Sequence, residues 1–370
     1  VNGTALTALH ESAGARLAAD ARTVLTYGDV PAEYRAATES AVVFDATDRD
    51  ALEVSGAEAG VFLNRLLAND VKQLASARSQ RNLLLSAKGK ILFDFEVARV
   101  GERYLLSLPP GTGAALWKAL DTYLFAEKVR LTDVGAGHAP IEIAGPRAAD
   151  VVRDAVGVDV ARDEHGVPIE RAVAQGTFAD GPITIIELPV AGSPGFRVDA
   201  GPERASVLWR ALIAAGARPA GVVVRDILRV EAGVASPGVD VDENVYPQEA
   251  RAEAGFRLDK GCYIGQEVVA KIDTYGGLNK RLVCLKISHD DPIARGTRLC
   301  RLDDGEWRDL GVVTSWAYSF VLDTGLVLAY VKRRHQKVGT EFRVGDGPAT
   351  AVIVPMPVRS GAVPPTGEFE

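Results

Sequence analysis

Sulfur is scarce in this chain of 370 residues, which has three cysteines and one methionine. Cys262, Cys284 and Cys300 are too few for a disulfide framework and lack the close pairing of zinc or thioredoxin motifs, so they read as free thiols. The five histidines, His10, His138, His165, His289 and His335, stand singly. That scatter offers no metalloprotease motif, and no protein-bound metal is expected. No stretch approaches the ~20 apolar residues of a membrane helix, and the opening residues lack a basic segment followed by an apolar one. The expectation is a soluble, cytoplasmic protein without a membrane partner. A formal net charge of -7 lacks the positive excess that draws proteins to phosphate backbones, so nucleic acid is not an expected partner.

Against these absences stand 47% apolar and 25% charged residues, the balance of a globular chain long enough for two or three domains. Short strands alternate with amphipathic helices. Ala51–Ser55 reads as a strand feeding a helix whose stripe is Phe62, Leu63, Leu66 and Leu67. Strands at 82–86 and 91–100 are joined by Ala87-Lys-Gly-Lys90, where Gly89 can take positive φ cheaply. A further strand at 104–108 ends at Pro109-Pro110, because proline cannot donate to a ladder. A helix at 114–124 follows. The middle is mixed, with strands at 141–144 and 183–188 and helices at 147–156 and 202–215. From residue 280 short strands take over, at 281–288, 309–315, 325–331, 341–344 and 350–354, the spacing of a small barrel or sandwich.

Two acids and a thiol invite functional readings. Within Ile91-Leu-Phe-Asp-Phe-Glu-Val97, period-two alternation puts Asp94 with Leu92 and Glu96, away from the more apolar face of Ile91, Phe93, Phe95 and Val97. Asp94 is either part of a half-solvated sheet face or a carboxylate at a pocket wall. Tyr104 joins its face if the loop is Gly101 to Arg103 and leaves it if the loop has two residues. Glu231 lies on the apolar stripe of a helix through Ile227 and Leu228 that stops at Gly233. A buried acid near the negative end of a helix needs a partner, either a nearby arginine or a ligand with NH donors. Cys262, two residues after Lys260 and near a helix start, is either an activated thiol or a small buried hydrophobe.

Lys260-Gly-Cys-Tyr-Ile-Gly-Gln-Glu267 resembles the signature of YgfZ-type folate-binding proteins of the glycine-cleavage T-protein family. Leu228-Arg-Val-Glu-Ala-Gly233, Asp242-Glu-Asn-Val-Tyr-Pro-Gln-Glu249, Val54-Ser-Gly56, Phe62-Leu-Asn64, Gly311-Val-Val-Thr-Ser315 and Ala329-Tyr-Val331 extend the likeness in order over most of the chain. The resemblance implies an α+β, three-domain cloverleaf with a central folate channel and a C-terminal β-barrel. Its first domain would comprise residues 1–50 and 139–240, its second 51–138 and 241–279, and the barrel 280–370. Asp94 would move a proton or orient a folate nitrogen, Tyr104 and Leu106 would line the pterin slot, Glu231 would accept from the pterin ring, and Lys260 would assist the acidic tail.

The ligand would be tetrahydrofolate or a one-carbon derivative. Phe93 stands where related T-proteins have a first acid, and Cys262 where they usually carry an acid. This favours a YgfZ-type accessory protein for iron-sulfur cluster assembly or repair, with Cys262 as its thiol and iron-sulfur proteins as partners. The alternative is a folate-dependent aminomethyltransferase or related one-carbon transferase using Asp94 and an aminomethyl-carrier protein.

Overall fold

A computed structural model describes residues 4–163, 165, 168–303 and 305–363. The chain divides into two compact bodies, one from residues 1–82 and 94–225, the other from 83–93 and 226–370. The expected mixed α+β character is what the structure shows. No helix among the described residues is long and apolar enough to cross a membrane.

The first body contains a six-stranded sheet in the order Val173–Phe178, Gly181–Glu187, Gly195–Asp199, Ile141–Ala144, Val42–Asp45, Arg218–Pro219. All neighbours are antiparallel except the last pair. Ile141, Ile143, Phe196 and Val198 alternate to one face and meet Val151 and Val152 of helix Ala148–Val156 and Leu208 and Trp209 of helix Ala205–Ala214. Ala148, Val151, Val152 and Val156 recur at helical spacing, which gives that helix its single buried stripe. Gly157, at φ 66°, then ends it in the left-handed conformation that favours glycine.

A five-stranded sheet follows the order Arg78–Leu85, Ile91–Val100, Arg103–Leu108, Asp50–Ser55, Arg130–Asp133. Helix Ala59–Leu66 buries the expected Phe62, Leu63 and Leu66. The hairpin register pairs Val100 with Arg103, so the loop is Gly101-Glu102, two residues long.

In the second body, Lys280–Ile287, Thr324–Lys332, Glu306–Ser319, Arg298–Asp303, Glu341–Val344 and Thr350–Val354 close into a six-stranded barrel. Closure removes the unpaired edges that an open sheet would expose. Val283, Leu285, Ile287, Val313, Val327, Ala329 and Val331 fill its interior at every second position. Cys284, between them, turns outward and donates its thiol to the Val230 carbonyl at 3.4 Å, against helix Val222–Ala232. Arg229 of that helix bonds Asp240 at 2.9 Å and the Ser315 hydroxyl at 2.9 Å, so a buried acid ties helix, loop and barrel together.

Candidate functional site

Asp94 is buried at 8% exposure. Arg81 holds it with both arms of its fork: Nε donates to Oδ1 at 2.8 Å and Nη2 to Oδ2. Two parallel charge-assisted bonds fix the plane of the carboxylate as well as its place. Asp94 itself is therefore buried and paired, while Leu92 on the same face stays exposed.

The two-residue loop decides the register question. Tyr104 lies opposite Arg99 and Leu106 opposite Val97. Cross-strand partners share a face, so both belong with Phe95 and Val97, on the other side of the sheet from Asp94. Tyr104 packs its hydroxyl against Gly60 of helix Ala59–Leu66, and Leu106 is fully buried. Neither forms a slot with Asp94.

The face that carries Asp94 continues through Glu96, paired with Arg171 at 2.8 Å, to Ser107 on the neighbouring strand. Ser107 accepts from Arg197 Nη1 at 3.0 Å and from Arg49 Nε at 3.4 Å. These arginines belong to a cluster that the sequence motifs did not reveal. The register of the six-stranded sheet aligns Ile186, Arg197, Glu142 and Phe44 in one row across four strands. Glu142, 1% exposed, is the acid in the otherwise apolar strand Ile141–Ala144 and points away from the helix-covered core of Ile141 and Ile143. Its Oε1 accepts from Arg197 at 2.7 Å and its Oε2 from Arg225. Burial acts to raise its pKa, but the guanidiniums of Arg225, Arg197 and Arg49 outweigh it and hold the carboxyl far below the usual range.

Arg49 and Arg225 reach a cleft of about 530 Å³, with Phe44, Asp45, Asp48 and Arg22 among its walls. That is ligand-sized. Asp45 is engaged by His10 at 2.9 Å, and Tyr27 holds the other ring nitrogen of His10 at 2.7 Å. No group of three or more His, Cys, Asp or Glu side chains among the described residues is arranged to hold a metal.

In the second body, Glu231 is completely buried, and Gly233 at φ 73° follows its helix as expected. The carboxylate accepts from the Ser319 hydroxyl at 2.7 Å and the Val321 N–H at 3.4 Å, with Arg359 Nε 3.7 Å away. Its awkward placement is thus resolved by an arginine and a serine, and a ligand is not needed to account for it. Lys260 lies 5.3 Å from the ring centroid of Tyr263, a cation-π distance.

Cys262 is the exposed cysteine, whereas Cys284 and Cys300 are buried. Burial pushes Cys284 up to about 12, and burial with the neighbouring Asp309 also raises Cys300. The loop holding Cys262 enters helix Gln266–Tyr275 through Gly265, at φ 81°. A Cβ at Gly265 would meet the Ser86 carbonyl at 2.5 Å, and one at Gly89 would meet Val268 at 2.9 Å. Only two glycines let the 86–90 turn and the helix start approach so closely.

The GCVT N-terminal domain model matches residues 10–260, and the glycine cleavage T-protein C-terminal barrel domain model matches residues 280–358. The chain belongs to the glycine-cleavage T-protein family. It is 29% identical over 359 residues to the aminomethyltransferase of Saccharopolyspora erythraea, covering 95% of either chain. It is also 29% identical over 309 residues to that of Thermus thermophilus, covering 83% of this chain and 84% of the relative. The crystal structure of the glycine cleavage system aminomethyltransferase T from Bartonella henselae superposes with a TM-score of 0.83 at 26% identity, over 97% of this chain and 98% of that one. These matches support the aminomethyltransferase alternative more strongly than the YgfZ-type reading favoured by the motif around Cys262.

Proposed function

We propose that this protein is a tetrahydrofolate-dependent aminomethyltransferase, or a closely related one-carbon transferase, acting on an aminomethyl group presented by a carrier protein. The observation that carries the reading is the end-to-end similarity to proteins named aminomethyltransferase. The first body offers chemistry that suits a folate: its cleft combines carboxylates, which accept from pterin NH donors, with guanidiniums, which receive a carboxylate tail. When bound, tetrahydrofolate supplies the nitrogen nucleophiles that take the one-carbon unit, while ammonia leaves the aminomethyl group.

Asp94 is the chain's own contribution to the proton movement. Held by Arg81, its carboxylate is oriented to accept a proton released by the attacking nitrogen. Tyr104 and Leu106, placed in the core beneath a helix, support the sheet that carries Asp94. The three-part division at residues 50, 138, 240 and 279 belongs to the same proposal. In an assay that forms methylenetetrahydrofolate from an aminomethylated carrier, Asp94→Asn should lower the rate by ~10²-fold or more. Equal rates for the variant and the parent would remove Asp94 from this role.

A second reading is kept on one observation, the exposure of Cys262 among three cysteines. A YgfZ-type protein supporting iron-sulfur clusters would use that thiol. Cys262→Ala should then depress the activity of iron-sulfur enzymes in cells lacking the parent gene. Full complementation by the variant would exclude a working thiol.

A further inference from the structure

Glu142 has two carboxylate oxygens and three guanidiniums around it. Oε1 goes to Arg197 and Oε2 to Arg225, which leaves Arg49 over. Among the described residues, the Arg49 side chain has one hydrogen bond, from Nε to the Ser107 hydroxyl at 3.4 Å, and no carboxylate in ion-pair contact. Burial foremost, and the charge of Arg197 next, bring its guanidinium down to about 9, which marks positive charge that the protein does not fully compensate.

The other acids of the cleft do not supply the missing partner. Asp45 accepts from His10 and from the Thr47 N–H at 2.8 Å, and Asp50 from the Gly113 N–H at 2.6 Å. Asp48 is exposed at the cleft, within electrostatic reach of Arg225 and Arg49 but in ion-pair contact with neither. Arg225, by contrast, is anchored, with Glu142 on one side and the Phe44 ring 5.6 Å away.

We propose that Arg49, with Arg225 beside it, forms an anion-binding site that receives a carboxylate or phosphate group of a ligand entering the cleft. A guanidinium offers five N–H donors in a planar fork, and Nε is the only one that Arg49 commits to the protein. Two oxygens of an anion would take the Nη1 and Nη2 donors of Arg49, the end of the fork rather than the Nε–Nη2 side by which Arg81 holds Asp94. The ligand thereby supplies the counter-charge that Glu142 lacks a third oxygen to give. This assignment does not rest on the transferase reading, because it holds for whichever molecule carries the anion: the carboxylate tail of a folate or a separate small acid or phosphate.

The test is thermal unfolding of the full chain in increasing inorganic phosphate, against chloride at equal ionic strength. Phosphate should raise Tm saturably, by about 2 °C or more once it exceeds its dissociation constant tenfold. Arg49→Met, which keeps an unbranched apolar stem and removes the charge, should lose that response while its Tm in chloride equals or exceeds the parent's. Arg49→Lys should bind phosphate at least tenfold more weakly than the parent. A parent that responds identically to phosphate and chloride overturns the site, and so does an Arg49→Met variant that responds like the parent. If Arg49→Met fails to fold, the parent titration and Arg49→Lys decide the matter by the same criteria.

Adding tetrahydrofolate to phosphate-saturated protein separates the sources. Competition assigns the anion to the folate's carboxylate, and additive stabilisation assigns it to a separate small molecule. If tetrahydrofolate does not bind at all, the transferase reading fails, while the anion site still stands or falls on the phosphate titration.

Discussion

Glu142 and Glu231 are both withdrawn from water, at 1% and 0% exposure, and each is satisfied differently. Glu142 is a hub in the first body, shared between Arg197 of the neighbouring strand and Arg225 at the wall of a cleft. Glu231 is a tie in the second body, bound by a serine, a backbone N–H and one arginine. Burial of an acid therefore does not by itself indicate a ligand. A surplus of donors does, such as the three guanidiniums that surround the two oxygens of Glu142.

The largest effect should come from Glu142→Gln, which keeps the shape but strips the counter-charge from three arginines. It should cost about 3–5 kcal/mol in urea unfolding. Because the Glu142 pKa is depressed in the fold, its stabilising contribution is present above the unfolded value of about 4.3 and is lost as the pH falls below it towards the folded value. The variant's stability should therefore decline less on acidification than the parent's. Glu231→Gln should cost less, about 1–2 kcal/mol, because its amide oxygen can still accept from Ser319. A larger loss at Glu231 than at Glu142 would reverse the comparison.

The smallest effect on stability is expected for Cys262→Ser, which should leave the unfolding midpoint unchanged because the side chain is exposed. In the folded parent a thiol reagent should modify Cys262 and spare Cys284 and Cys300, and the variant should resist it. Rapid labelling of Cys284 would show that helix Val222–Ala232 lifts from the barrel wall far more readily than its packing implies.

Local patterning was readable where apolar residues alternate cleanly. Ile141–Ala144, Glu341–Val344 and Thr350–Val354 were anticipated residue for residue. Strand Arg298–Asp303 was not, because Arg298, Arg301 and Asp303 interrupt its pattern and its register shifts between Leu299 and Cys300. The edge strand Arg130–Asp133 escaped for a similar reason, having no buried residue to mark it. The face of Tyr104 turned on one residue of loop length, which composition does not determine.

The same distinction separates the parts of the site. Asp94 and Glu231 could be singled out within their own segments, but their arginine partners could not. Glu142 carried a local signal as a lone acid in an apolar strand. Its meaning depended on Arg49, Arg197 and Arg225, which are remote in sequence and converge only through strand register and folding.

The close approach of Gly89 and Gly265 gives the exposed sulfur a history as well as a position. Any side chain at either glycine pushes the 86–90 turn off the start of helix Gln266–Tyr275, and the loop bearing Cys262 goes with it. A lineage that selects for the placement of this thiol must therefore inherit both glycines together. One in which the thiol has fallen out of use is free to let the pair drift.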